Sequence, residues 1–283
     1  MSAAIDGIDH VLLGVRDLQA ARRAFQLLGF TVSPRGRHIG WGTANYCVMF
    51  PESYVELLGI IDPAQFTNNL DKFLETREGL LGVAFASVNA EAAAKDLKER
   101  GVETGETSDL GRILELHEGD VEPAFRLLHL PAKSTPGTPA FVCQHLTPEL
   151  VWQSPWLDHA NGVCGLVSVT GVVENPGEVA LAYGAIFGED RVWADQGLVE
   201  VDTGRGRLRF TQPEGLSQLF PGLSGLPRFD PPWLAGLRLE VRDLNSTAGY
   251  LDAAGVRYSR DADSLLRVGP DYTCGAVVEF VAL

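Results

Sequence analysis

Two residues place chemistry-bearing groups inside apolar strands. His10 interrupts GIDHVLLGVRDL (residues 7–18), and Glu56 interrupts YVELL (54–58), a run that is apolar on both faces. A buried carboxylate without a partner is expensive, so Glu56 calls for a cation, a metal or a proton. Glu279 repeats the pattern in VVEFV (277–281). For either glutamate an edge strand reaching water is the plainer alternative. His10 admits three readings: a metal ligand, a core histidine bonded to a backbone carbonyl, or a solvated strand end beside Asp9. His38 lies in RGRHIGWGTANY (35–46), where glycines let the backbone approach something closely. With Trp41 as a flat apolar wall and Asn45 in the same stretch, it is a candidate substrate contact. His145 is a further candidate, from a segment that also carries Trp152, Trp156 and His159 and that reads equally as a packed connector.

Composition narrows the classes. The 283 residues carry a formal charge of −14, which repels nucleic-acid backbones and anionic membrane surfaces. No window holds the roughly 20 apolar residues of a membrane span, and the start lacks a signal-peptide pattern, so a cytoplasmic protein with neither nucleic-acid nor membrane partners is expected. Cys47, Cys143, Cys164 and Cys274 are scattered without a CxxC pair, which argues for reduced core thiols. There is no GxGxxG after a strand and no P-loop, so no nucleotide cofactor is indicated. No GxSxG or Cys-His arrangement points to a covalent nucleophile.

The elements that must position these residues recur. VRDLQAARRAFQLLGFTVS (15–33) and VRDLNSTAGYLDAAGVRYS (241–259) align over 19 residues without a gap. Each reads as a strand end, an Asp N-cap at Asp17 or Asp243, and a helix stopped by Gly29 or Gly255. Looser copies occupy 82–103 and 165–188. With the β-like runs that follow each helix, the unit is βαβββ. One such sheet leaves a face bare, so the units must pair, giving an α+β protein of four modules in two domains. The expected division is 1–135, a connector with a short helix over 136–160, and 161–283. Thr147-Pro148 supplies the cap and first position of that helix.

Tandem βαβββ units with a histidine in the first strand and a glutamate in the last resemble the vicinal oxygen chelate superfamily, which includes glyoxalase I and extradiol dioxygenases. GIDHVLLGVRDL, GRHIGWGTANYCVMF, YVELLGI and CQHLTPELVW resemble its glyoxalase-like domain branch over nearly the whole chain. The resemblance implies curved, cup-like mixed sheets and a divalent metal in a cup, held from the first and last strands of a module. Those positions are His10 and Glu56. The counterparts of His10 are Val83, Ser168 and Gly236; those of Glu56 are Phe125 or Arg126, Arg209 and Glu279. Only the first module keeps both, so one metal site is expected. Imidazole with carboxylate suits Fe, Mn, Zn or Ni rather than calcium. If module 1 pairs with module 4, Glu279 completes the site and serves with Glu56 as a catalytic carboxylate. If it pairs with module 2, His129 or a connector histidine is the third ligand.

The function implied first is a metal-dependent glyoxalase-type lyase or isomerase acting on a small oxygenated organic substrate, with a free carboxylate or histidine moving the proton. Fe(II)-dependent ring cleavage ranks behind it because a second histidine is not placed by the sequence. A metal-free protein that sequesters a small molecule is the reading from a different class. A homodimer is compatible with all three.

Overall fold

The computed structural model describes residues 5–223, 225–261 and 264–282. Module 1 comprises β1 (Ile8–Gly14), α1 (Leu18–Leu27), β2 (Gly36–His38), β3 (Thr43–Met49) and β4 (Tyr54–Ile60), followed by a linking helix α2 (Leu70–Thr76). Module 2 comprises β5 (Gly79–Ala86), α3 (Ala90–Glu99), β6 (Thr107–Leu114), β7 (Ala124–Leu130) and β8 (Ala140–His145), and a single turn α4 (Pro148–Val151) follows it. Module 3 comprises β9 (Val163–Val172), α5 (Pro176–Phe187), β10 (Val192–Asp195), β11 (Leu198–Asp202) and β12 (Arg207–Thr211), then α6 (Leu216–Leu219). Module 4 comprises β13 (Trp233–Val241), α7 (Leu244–Ala253), β14 (Tyr258–Asp261), β15 (Leu265–Val268) and β16 (Val277–Val281). No helix among the described residues is long and apolar enough to cross a membrane.

The four main helices begin alike. Asp17, Asn89, Asn175 and Asp243 each sit in extended backbone and accept a hydrogen bond from an N–H of the first turn, which satisfies a donor that the helix itself cannot. Gly29 and Gly255, just past the ends of α1 and α7, adopt φ of 89° and 69°, the left-handed conformation that stops a helix at low cost.

Modules pair in sequence order. β1 runs parallel to β4 and antiparallel to β5, and the first eight strands close into a barrel in the order β1-β4-β3-β2-β6-β7-β8-β5. The last eight form a curved sheet in the order β10-β11-β12-β9-β13-β16-β15-β14. The α+β architecture expected from the repeat is therefore observed, and module 1 pairs with module 2. Aromatic contacts join the two halves, including Phe85 on Phe187 at 5.2 Å and Phe30 on Phe280 at 6.3 Å.

One boundary and several assignments shift. Residues 140–145, expected in the connector, form β8, whose pairing with β5 and β7 completes the barrel. Phe125 and Arg126 lie on β7 and are not the counterparts of Glu56. In each module the residue five before the helix cap pairs with the final strand: Leu12 with Glu56, Ala84 with Phe141, Thr170 with Arg209, and Arg238 with Glu279. Phe141 is thus the module 2 counterpart, and by the same spacing Gly82, not Val83, matches His10. The Thr147 hydroxyl caps nothing; it accepts from Ala124 N–H, tying α4 to β7.

Because β8 closes the barrel, Val142→Ala, at a fully buried position, is expected to cost about 2 kcal/mol. Urea unfolding measures it; a loss well under about 0.5 kcal/mol, typical of surface positions, would mark residues 140–145 as a linker.

Candidate functional site

Side chains alternate along a strand, so a closed barrel turns one set inward. Here that set includes His10 on β1, Tyr54, Glu56 and Leu58 on β4, Asn45 on β3 and His38 on β2, and all of them line one cavity of about 740 Å3, open solvent at its mouth included. Leucine and phenylalanine side chains from β5, β6, β7 and β8 make the opposite wall, and Trp41, Thr67 and Asn68 stand among its other lining residues.

Glu56 is 5% exposed and lies among three polar neighbours. His10 Nε2 is 3.6 Å from one of its oxygens and His38 Nε2 is 3.6 Å from the other. Asn45 Nδ2 donates to the His38-side oxygen at 2.5 Å. Each imidazole is held from behind. His10 Nδ1 hydrogen-bonds Asp9 Oδ1 at 2.6 Å, and His38 Nδ1 hydrogen-bonds Thr43 Oγ1 at 2.8 Å. The His10 ring also stacks on Tyr54 at 4.4 Å. Although burial opposes its charge, Asp9 is held well below the usual carboxylate range by His145 and His10. Burial pushes the His38 imidazole down to about 4, against the pull of Glu56, so it is neutral near pH 7.

The expected residues divide. His10, His38, Trp41, Asn45 and Glu56 come together in the cavity. His145 does not line it; its Nε2 hydrogen-bonds Asp9 Oδ1 at 3.0 Å, so it touches the site only through the residue that holds His10. His129 is an exposed residue of the lining and makes no ion pair with Glu56 among the described residues. Glu279 lies in the other sheet, 1% exposed, with Arg238 Nε at 2.9 Å from one oxygen and Arg267 Nε at 2.8 Å from the other. It is not a second carboxylate of this cavity, because module 4 does not pair with module 1. His159 is bonded on both ring nitrogens, to Thr31 N and Met49 O, as a packed connector residue.

Sequence reasoning passes over Arg112, which reaches into the cavity from β6. The signal is the one that marks Glu56, a charge within an apolar strand. A strand read from Ile113 starts one residue too late to include it.

The donor chemistry suits a divalent cation. With both Nδ1 atoms engaged, two imidazole Nε2 atoms face one carboxylate, the nitrogen and oxygen set of transition-metal sites. They approach different oxygens of Glu56. Asp9, His10 and Cys143 form a second cluster, with donor atoms within 4.8 Å of one another. That cluster fits less well: the 2.6 Å contact between Asp9 and His10 is a hydrogen bond, and burial pushes the Cys143 thiol well above its usual range, disfavouring the thiolate that binds metal.

With the geometry defined, comparison with known proteins places the chain. The family described as "Glyoxalase-like domain" matches residues 8–187. No curated protein matches. A hypothetical protein from Staphylococcus aureus superposes with a TM-score of 0.68 at 14% identity, over 98% of each chain. A variant of 4-hydroxymandelate synthase from Streptomyces coelicolor gives 0.60 at 14% identity, over 99% of this chain and 93% of that one. A xylose isomerase-like TIM barrel/4-hydroxyphenylpyruvate dioxygenase fusion protein gives 0.60 at 14% identity, with this chain matching 49% of its length. At such identity these are likenesses of fold.

His38 generates a pH prediction. Its folded-state value of about 4 lies below the ordinary 6.5, so between those values the unfolded chain binds more protons and stability falls as pH is lowered. Nitrogen-15 NMR of the metal-free protein is expected to show His38 neutral at pH 5.5, with the urea midpoint falling between pH 6.5 and 4. Protonation of His38 near pH 6.5 contradicts the buried geometry.

Proposed function

The chain belongs to the glyoxalase-like domain family, and from that premise we propose a divalent-metal-dependent enzyme that acts on a small oxygenated organic molecule inside the first barrel. His10, His38 and Glu56 hold the metal, and the chemistry is oxygen-dependent oxidation at Fe(II). The observation that carries this reading is the second imidazole: His38 reaches the same carboxylate as His10 and completes two histidines and one carboxylate, the ligand set of non-haem Fe(II) oxygenases. Likeness in fold to a hydroxymandelate synthase supports it at the level of architecture.

A metal held by His10, His38 and Glu56 would supply a Lewis acid for substrate oxygens and, as Fe(II), a centre for dioxygen activation. The chain's own residues orient and exclude. Asp9 fixes the ring of His10, Thr43 that of His38, and Asn45 one oxygen of Glu56. Leu58, Leu81, Leu127, Phe125 and Phe141 keep the cavity wall apolar, which strengthens every electrostatic contact inside it. The glyoxalase-type reading needs a free carboxylate or histidine to move a proton. Glu56 is the one carboxylate lining the cavity among the described residues, and Glu279 is bound elsewhere by arginines. The group left to move a proton in the lyase or isomerase alternative is His129, an exposed histidine of the lining.

Anaerobic loading with Fe(II) or Mn(II) tests this directly. About one ion per chain is expected, with His10→Ala, His38→Ala and Glu56→Gln each weakening binding by about tenfold or more. The Fe(II) form is expected to consume dioxygen when offered small 2-oxo acids or catechols. Turnover without oxygen uptake assigns the lyase or isomerase alternative. Substoichiometric metal that ignores all three substitutions assigns a metal-free binding protein.

A further inference from the structure

Arg112 is the charge in the cavity that the proposed metal site does not use. It is 3% exposed and sits on β6 directly opposite His38 on β2, so the two side chains share the inward face. Its Cζ lies 5.6 Å from the centroid of the Phe125 ring, and its remaining contacts are poor for a buried guanidinium. Nη1 lies 3.5 Å from Asn45 Oδ1 and 3.4 Å from Cys47 Sγ, and its Nε is buried with no hydrogen-bond partner. Among the described residues no carboxylate forms an ion pair with it. The buried arginines of the second sheet are treated differently: Arg209 pairs with Glu200, and Arg267 with Glu279 and Asp261. A buried charge left without a counter-ion is costly, and Arg209 and Arg267 avoid that cost.

Two neighbours keep Arg112 as it is. Asn45 stands between it and Glu56, accepting from the guanidinium on one side and donating to the carboxylate on the other, so the opposite charges do not collapse together. Gly36 gives the arginine stem its room. A Cβ at that position would lie 2.5 Å from Arg112 Cδ and would also strike Asn45 Oδ1. The φ of Gly36 is not in the left-handed region, so its missing side chain serves space and not backbone conformation.

We infer that Arg112 is the anion anchor of the cavity and that the ligand is a small organic acid, its carboxylate on the guanidinium and its apolar body against the leucine and phenylalanine wall. A planar carboxylate matches the guanidinium fork, which uses the orphaned Nε. The inference rests on the reading of the barrel cavity as the substrate site, and it deepens that reading by naming a substrate class. It does not require the metal.

The test is calorimetric binding of phenylacetate and of its neutral isostere phenylacetamide to the full chain, metal-free and Mn(II)-loaded. The wild type is expected to prefer the acid by about tenfold or more in both forms. Arg112→Met and Gly36→Ala are each expected to reduce that preference to about twofold or less, and Arg112→Lys to retain part of it. Equal binding of acid and amide by the wild type, or no binding of either, overturns the inference without recourse to any variant. A preference that survives Arg112→Met and vanishes without Mn(II) also overturns it, by placing the carboxylate on the metal. If Mn(II) fails to bind while Arg112→Met still erases the preference, the anion anchor stands and the metal reading falls.

Discussion

A carboxylate held inside a closed barrel, away from water, sets the terms for everything around Glu56. Burying its charge demands compensation, and the fold contains two answers at one structural position. In module 4 the equivalent residue, Glu279, is clamped by Arg238 and Arg267, so fixed positive charge comes from the chain itself. In module 1 the neighbours are two imidazoles and an amide. His38 is neutral near pH 7 through burial, and Arg112 is held off by Asn45. Among the described residues no guanidinium pairs with Glu56, whereas two pair with Glu279.

That difference explains how one architecture carries two unlike halves. Both sheets are built from the same βαβββ unit with the same capped helices. The first closes around a cavity. The second has an apolar cluster in which Leu216 and Phe220 pack with Trp233 and Val277, and a network of arginine and carboxylate pairs through Glu279. The two halves are joined through the shared core that includes Phe85, Phe210 and Phe280.

Much of this was legible in the residues. Asp17 and Asp243 cap helices as their spacing requires, and the four-module order follows from repeating that unit. Glu56 declares itself by interrupting an apolar strand. What local pattern does not carry is long-range register. His38 meets Glu56 only because β2 pairs with β3 through Gly36 and Asn45, and β3 pairs with β4 through Cys47 and Glu56. β8 hides behind a proline- and threonine-rich stretch that reads as linker, and its partner β5 lies far back in the chain. Glu279 interrupts its strand as Glu56 does, and what separates them is Gly236 in place of His10 and the two arginines of its own module.

Anomalous diffraction from crystals grown with saturating Mn(II) tests the ligand set most directly. The expected result is one strong peak within about 2.0 to 2.2 Å of His10 Nε2, His38 Nε2 and a Glu56 oxygen. A peak on Asp9 and Cys143, or a barrel without any peak, contradicts it.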